Sequence, residues 1–346
     1  MHSLACRYLD GRGPLFAERV SHGRAVDGHG DLLADDIFCL DDGPRVLDCI
    51  EFDDQLRLGD GLADAAFLAM DLERLARPDL AEMFLAAYRE HAADTWPASL
   101  AHHHIAYRAQ VRAKVTAIRA EQGAPGAAAE ARELLDLAAS HLDQAQIRLI
   151  LVGGLPGTGK STLAANLGDA LGGVVLGSDV VRKELAGLSP GWPVAERFGE
   201  GIYSTAGTAA TYRALLERAR IALSHGETVL LDASWMHASW RDEARLVAAT
   251  TSAHLVELSC DAPTVVTTSR LLRRAADGTD VSDATPQIAT AMAEAAPRWP
   301  TATSIDTSGE LADATAAALT RIHGSEGRRA PMEGRSSFDD RTTSPL

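Results

Sequence analysis

The stretch from Leu149 to Thr162 constrains this chain more than any other. Leu149 to Val152 is an uninterrupted apolar run that suits a buried strand. Gly154 to Ser161 then fits G-x-x-x-x-G-K-[ST], the phosphate-binding P-loop, and a helix is expected from Ser161 to Leu171. Glycines let the backbone come close to a ligand, and successive N–H groups converge on an anion at a helix N-terminus. Gly154, Leu155, Pro156, Gly157, Thr158, Gly159, Lys160, Ser161 and Thr162 are the candidate nucleotide contacts. Lys160 suits β- and γ-phosphate oxygens, and the Ser161 hydroxyl suits Mg²⁺, with ATP as the nucleotide.

A chain of 346 residues has room for two domains, and 46% hydrophobic with 23% charged residues is ordinary globular composition. A net charge of −15 argues against broad contact with nucleic acid or anionic membrane, leaving only a short oligonucleotide or nucleotide as a nucleic-acid substrate. Cys6, Cys39, Cys49 and Cys260 are scattered without a C-x-x-C pair, which points to reduced thiols in a cytoplasmic protein. No basic-then-apolar leader is visible, and no apolar run approaches the ~20 residues of a membrane helix.

From Gln146 onward, strand and helix patterns alternate. Strands are expected at 148–152, 173–177, 228–232, 253–258 and 302–306, in an α/β P-loop domain with a five-stranded parallel sheet in kinase-like order. Gly173 to Leu176 and Thr228 to Leu231 lack alternation, as doubly buried strands do. Asp179 follows the second strand at the crevice side, with Arg182 three residues on along the same helix face. Ser178 or Asp179 also suits a helix N-cap. Asp232 ends the third strand, where it suits Mg²⁺ directly or through water. Trp235 and Trp240, beside it, read as packing residues. Arg270 and Arg274 share one face of a later helix, ahead of Arg273 as candidates.

Asp179 with Arg182 resembles small P-loop kinases, including polynucleotide kinases and the zeta-toxin group. That resemblance implies that Asp179 positions and deprotonates an accepting hydroxyl and that Arg182 grips a charged part of the acceptor. The segment bearing Arg270 and Arg274 resembles the lid of nucleotide-kinase-like enzymes, whose arginines close over phosphates.

The earlier region carries His29-Gly30-Asp31-Leu32, a turn at Asp41-Asp42-Gly43 and an expected strand over Arg45 to Ile50, making a hairpin with Asp48 on its second strand. A short helix is read near Leu15 to Val20. Helices are expected over Leu62–Leu75, Leu80–His91, Ser99–Gln122 and Ala127–Leu142. His102-His103-His104 reads as packing or surface, because adjacent helical residues diverge. Arg108, Arg112 and Lys114 read as a solvated face.

The H-G-D-L segment and Asp48 to Phe52 resemble aminoglycoside phosphotransferase-like kinases. The resemblance implies Asp31 as the base-like residue and Asp36 and Asp48 as metal ligands. Leu33 stands where that pattern has His, and Asp36 where it has Asn. About 28 residues precede the motif, too few for a nucleotide-covering lobe, so a vestigial site is expected. The whole resembles bacterial two-part proteins that join such a region to a P-loop ATP-binding domain. The implied organisation is 1–142, a mostly helical kinase C-lobe remnant; 146–323, the P-loop domain; and 324–346, a disordered tail.

The expected function is transfer of the γ-phosphoryl group of MgATP to an unknown hydroxyl-bearing acceptor. An ATP-sensing regulatory or scaffold protein and a slow ATPase are the alternatives. Apolar surface that a missing lobe would cover favours self-association.

Overall fold

The computed structural model describes residues 1–189, 192, 200–277 and 284–324. The expected tail beyond Gly324 lies outside the described residues. So do residues 278–283, in the polar stretch that follows Arg274.

Two helices open the chain. The first, α1 (His2–Gly11), has no counterpart in the sequence reading, while α2 (Gly13–Ser21) covers the helix expected near Leu15. A first strand, β1 (Ala25–Asp27), precedes a hairpin of β2 (Ile37–Leu40) and β3 (Gly43–Val46), and β4 (Leu58–Asp60) returns to pair antiparallel with β1. One expectation is corrected here. Asp48 does not lie on the second strand, which ends at Val46; it sits beyond it at φ +64°. Aspartate is among the few residues that tolerate this left-handed conformation. Phe38, Leu40, Val46, Leu47 and Phe52 are exposed on and after this hairpin, so apolar surface lies where it is expected.

Four helices follow: α3 (Gly61–Arg74), α4 (Pro78–His91), α5 (Ala98–Glu121) and α6 (Ala127–Gln144). Asp60 caps α3 by accepting from the Leu62 N–H, and Pro78 starts α4, where a missing N–H costs nothing. Phe67, Met70, Ile105, Ala109 and Leu134 pack between α3, α5 and α6. Arg108 is not on a solvated face: it donates to the Ala63 and Gly30 carbonyls, and its guanidinium lies 4.7 Å from the Phe67 ring centroid.

The three adjacent histidines of α5 are packed inside. His103 stacks on Tyr8 at 4.4 Å between ring centroids, and His102 Nδ1 lies 2.9 Å from His141 Nδ1, whose ring also meets Glu73 at 2.8 Å. Burial pushes His102 and His103 down to about 4 and His104 to about 3, against the pull of Asp60 on His104 and of Glu73 on His102. The unfolded chain, with these histidines near pH ~6.5, binds more protons than the folded one below that pH. Their stabilisation is therefore present above about pH 6.5 and lost as pH falls toward 4, by up to about 3 kcal/mol per group. Thermal unfolding between pH 7 and 4.5 should show a falling Tm whose slope His103→Phe reduces. A His103→Phe profile parallel to the parent's would refute the assignment.

The second half is one sheet covered by helices on both faces. Its strands are β5 (Arg148–Gly153), β6 (Val174–Gly177), β7 (Val229–Asp232), β8 (His254–Asp261) and β9 (Thr303–Asp306), all parallel, in the order β6-β7-β5-β8-β9. Between them run α7 (Lys160–Leu171), α8 (Ser178–Leu185), α9 (Thr205–Ser224), α10 (Ala238–Thr250), α11 (Thr264–Asp277) and α12 (Pro286–Ala295), with α13 (Leu311–Gly324) last. β5 is central because both its faces are apolar. Ile150 and Val152 face Leu163, Leu167, Ala318 and Ile322 of α7 and α13, while Leu149 and Leu151 face Leu215, Ala219 and Ala244 of α9 and α10. Each fully buried Leu, Ile or Val among these contributes about 1.5–3 kcal/mol. β6 departs from the expected double burial: it is the edge strand, and Val174 and Val175 are exposed. Its apolar run alone cannot tell an edge from a centre.

Tyr8, Leu15, Trp96 and Leu100 join the same apolar cluster as Leu149, Leu215 and Ala248, so the N-terminal helices pack on the α9–α10 face of the sheet. Polar contacts cross the same junction. Ser99, whose Oγ also lies 3.1 Å from Tyr8 Oη within the first half, donates to the Gly226 carbonyl, and Arg12 donates to that of Thr251. Among the described residues no helix is long and apolar enough to cross a membrane.

Candidate functional site

β5 ends at Gly153, and α7 begins seven residues later at Lys160. The intervening loop needs two glycines for distinct reasons. Gly154 has φ +144°, and a Cβ there would meet the Thr158 hydroxyl and the Cys260 carbonyl at 2.6 and 2.9 Å. At Gly157, φ is +81° and a Cβ would lie 2.8 Å from the Thr267 carbonyl of α11. No side chain caps α7, so the first-turn N–H groups are left to an external anion. Thr158 Oγ1 donates to the Leu155 carbonyl, bracing the loop from within. The Thr307 hydroxyl, just past β9, lies 2.5 Å from the Thr158 carbonyl and 2.9 Å from that of Asp261, so it can donate to one at a time.

Asp232 is the focus of the site. In-register pairing of β5 with β7 sets Val152 beside Asp232, at the sheet edge from which the P-loop leaves. The residue is half-buried, its Oδ1 is buried with no hydrogen-bond partner among the described residues, and the Ser161 hydroxyl is close enough to lower its pKa. Burial raises its pKa most. Lys160, the Ser161 hydroxyl and Arg274 work against that, while Asp179 adds to it. Lys160, Ser161, Asp179 and Arg274 therefore all lie within electrostatic reach of one carboxylate.

Those donors bear on Mg²⁺. A buried carboxylate oxygen without a partner, beside a serine hydroxyl, offers the hard oxygen ligands this ion takes. Among the described residues no three His, Cys, Asp or Glu side chains form a metal cluster. Two protein oxygens are enough, because Mg²⁺ keeps waters and substrate phosphates in its other positions. The residues present fit the ion.

Asp179 stands in the first turn of α8, directly after β6, and is half-buried. Arg182 is buried one turn on. It donates to the Ile202 carbonyl at 2.9 Å and lies over the Tyr203 ring, with Nε left without a partner among the described residues. Much of this guanidinium is thus engaged by the segment leading into α9. Residues 190–191 and 193–199, which follow α8, lie outside the described residues.

On α11, Arg270 donates to the Thr307 carbonyl at 2.7 Å, and its Nη1 is buried without a partner among the described residues. That nitrogen is 3.4 Å from where a Cβ on Gly159 would stand, so Arg270 lies against the P-loop. Arg273 is exposed. Trp235 is 1% exposed at φ +51° and donates to the Leu231 carbonyl; Trp240 stacks on Tyr212 at 5.2 Å. Both are packing residues.

In the N-terminal region, the Asp64 carboxylate accepts from the His29 and Gly30 N–H groups, fixing the loop that carries Asp31. Asp31 pairs with Arg112 at 3.6 Å, and burial more than offsets that pairing to raise its pKa. Asp36 accepts from the Leu33 N–H, and Asp48 is exposed.

Sequence reasoning missed Thr307, Arg241 and Trp299. Arg241 is 5% exposed, donates to the Trp235 carbonyl and lies 5.4 Å from the Trp299 ring centroid. The R-x-x-x-R spacing with Arg245 carried no signal separable from an ordinary helix face.

Residues 149–298 match a family model described as an AAA domain. Uncharacterised proteins of Mycobacterium tuberculosis and Mycobacterium bovis are 47% identical to this chain over 304 residues, which is 87% of this chain and 60% of each relative. The chain thus spans less than two thirds of the length of these relatives. Among solved structures, a gluconokinase from Sinorhizobium meliloti is 18% identical, covering 52% of this chain and 95% of its own, with a TM-score of 0.37. An APS kinase from Mycobacterium tuberculosis in complex with AMPPNP and APS is 21% identical, covering 51% and 97%, with a TM-score of 0.38.

Proposed function

We propose that this chain is an ATP-dependent phosphotransferase that moves the γ-phosphoryl group to a hydroxyl of a small molecule or nucleotide. The observation that carries the reading is the gathering of Lys160, Ser161, Asp179 and Arg274 about the Asp232 carboxylate at the end of the P-loop strand. In this reading the Asp179 carboxylate takes the proton of the acceptor hydroxyl as its oxygen bonds to the γ-phosphorus. The bond from that phosphorus to the β,γ-bridging oxygen breaks, and ADP leaves. Lys160, Arg270 and Arg274 hold charge on the transferring group and the departing oxygen. Ser161 and Asp232 would hold Mg²⁺, which neutralises charge on the β- and γ-phosphates. Arg182 steadies α8, and with it Asp179, through Ile202 and Tyr203.

For the first half of the chain we propose descent from an aminoglycoside phosphotransferase-like C-lobe whose Asp31, Asp36 and Asp48 are vestigial. The Arg112 pairing of Asp31 and the exposed position of Asp48 support that reading.

The test is ADP formation measured beside phosphate release, with MgATP and pooled hydroxyl-bearing metabolites, nucleosides and short oligonucleotides. ADP formation in excess of phosphate release with one pool is the expected result. Matched ADP and phosphate would make the protein an ATPase. ATP binding without turnover in any pool would overturn the phosphotransferase reading in favour of an ATP-sensing protein.

A further inference from the structure

A cavity of about 650 Å³ lies on the β8 side of the P-loop, bordered by Leu155 and Pro156 of the loop, by Trp235 and Trp299, and by the inner face of α12. This is the size of a small-molecule site. Neither Asp179 nor the P-loop residues Gly157 and Gly159 to Thr162 line it, so it is not the phosphate cradle itself.

Among the described residues one cation lines it. Arg241, from the first turn of α10, lines the cavity and is 5% exposed. A buried guanidinium ordinarily has a carboxylate partner. Among the described residues Arg241 has none: its recorded contacts are the Trp235 carbonyl at 3.1 Å and the face of Trp299. Trp299 adds a second unmet donor, for its Nε1 is buried with no acceptor among the described residues. The carboxylates that do line the cavity, Asp261 and Glu294, belong to exposed residues. They add negative charge to the lining and oppose a polyanion such as a nucleoside triphosphate. With one nitrogen already committed to a carbonyl, the guanidinium matches a single negative charge.

We propose that this cavity seats the carboxylate end of the phosphoryl acceptor, a hydroxy acid held there by Arg241. Its role as the acceptor's seat rests on the phosphotransferase reading; its affinity for a carboxylate does not. Leu155 and Pro156 border the cavity on its P-loop side, so the hydroxyl end of such an acid would leave it there. Trp235 and Trp299 report on occupancy through their fluorescence.

The test titrates the full chain with aliphatic hydroxy acids (glycerate, gluconate), their neutral counterparts (glycerol, glucitol) and glycerol phosphate, reading calorimetric heat and tryptophan fluorescence without nucleotide. The acids should bind at least tenfold more tightly than the polyols and than glycerol phosphate. Arg241→Gln should remove that preference while leaving the polyols within twofold. Ala289→Phe, which fills the cavity from α12 without touching Arg241, should abolish binding in a chain that unfolds like the parent. Acids binding no better than polyols, or an acid preference that survives both variants, would overturn the proposal. Preferred binding of glycerol phosphate would replace the carboxylate with a phosphate-bearing acceptor and overturn it equally. Acid binding without ADP formation would leave the carboxylate site standing and refute its role as the acceptor's seat, whereas the phosphotransferase reading falls only if no pool of acceptors turns over. ADP formation with polyols, indifferent to Arg241→Gln, would leave that reading standing and overturn the proposal.

Discussion

Lys160→Ala is expected to lower acceptor-dependent ADP formation by about 10³-fold or more while leaving the chain folded. Lys160 is the first residue of α7, and its ammonium is one of the charges that hold down the proton affinity of Asp232. Losing it removes two things together. The γ-phosphoryl group loses a cation, and a single preorganised interaction of this kind is worth about 10²–10³ in rate. Asp232 also loses a compensating charge, so its carboxylate binds a proton more readily and Mg²⁺ less well. The fold should not follow, because α7 is anchored by fully buried Leu163 and Leu167, and the Lys160 side chain is only partly covered. Single-turnover ADP formation, with thermal unfolding as the control, reads the effect. Activity within tenfold of the parent in a folded variant would mean that the P-loop does not host this chemistry.

How much of this was legible in the sequence varies with the range of the interaction. β5, the P-loop and α7 are written locally: an apolar run for a strand buried on both faces, glycines where the backbone turns, then a helix. The five strands were found within one or two residues at most ends, because parallel strands under helices carry apolar runs bounded by polar turns. β8 runs to Asp261, beyond the expected end, since Cys260 and Asp261 pair with β9 alone. The edge position of β6 was illegible for the same reason. Arg108 looked like a solvated cation and is instead spent on the Ala63 and Gly30 carbonyls. Thr307 and Arg241 are ordinary residues in sequence. They acquire meaning because β9 returns beside the P-loop and α10 packs under Trp299. Contacts separated by tens of residues or more leave no periodic mark on the chain.

Asp179→Ala is the other large effect, an expected loss of about 10²–10⁴ in phosphoryl transfer with ATP affinity kept within about twofold. The two halves of this expectation have separate causes. Asp179 stands on α8 beyond the edge strand, outside the loop that wraps phosphates, so nucleotide binding does not need it. Its negative charge raises the proton affinity of Asp232, and removing it makes Asp232 easier to ionise. Mg²⁺-dependent ATP binding should then be unchanged or slightly tighter, the opposite of what general damage to the site would give. The cost to the fold is small: an acidic residue in the first turn of α8 is worth about 0.3–1 kcal/mol through the helix dipole. What disappears is the base that takes the acceptor's proton. ADP formation with and without acceptor, set beside an ATP titration, separates the outcomes. Loss confined to the acceptor-dependent rate supports Asp179 as the base. An undiminished rate would leave Asp179 a helix-terminal residue and would require the proton to leave by another group. Weakened ATP binding would show that α8 supports the P-loop rather than the acceptor, and the base would then be sought on the β8 side, near Arg241.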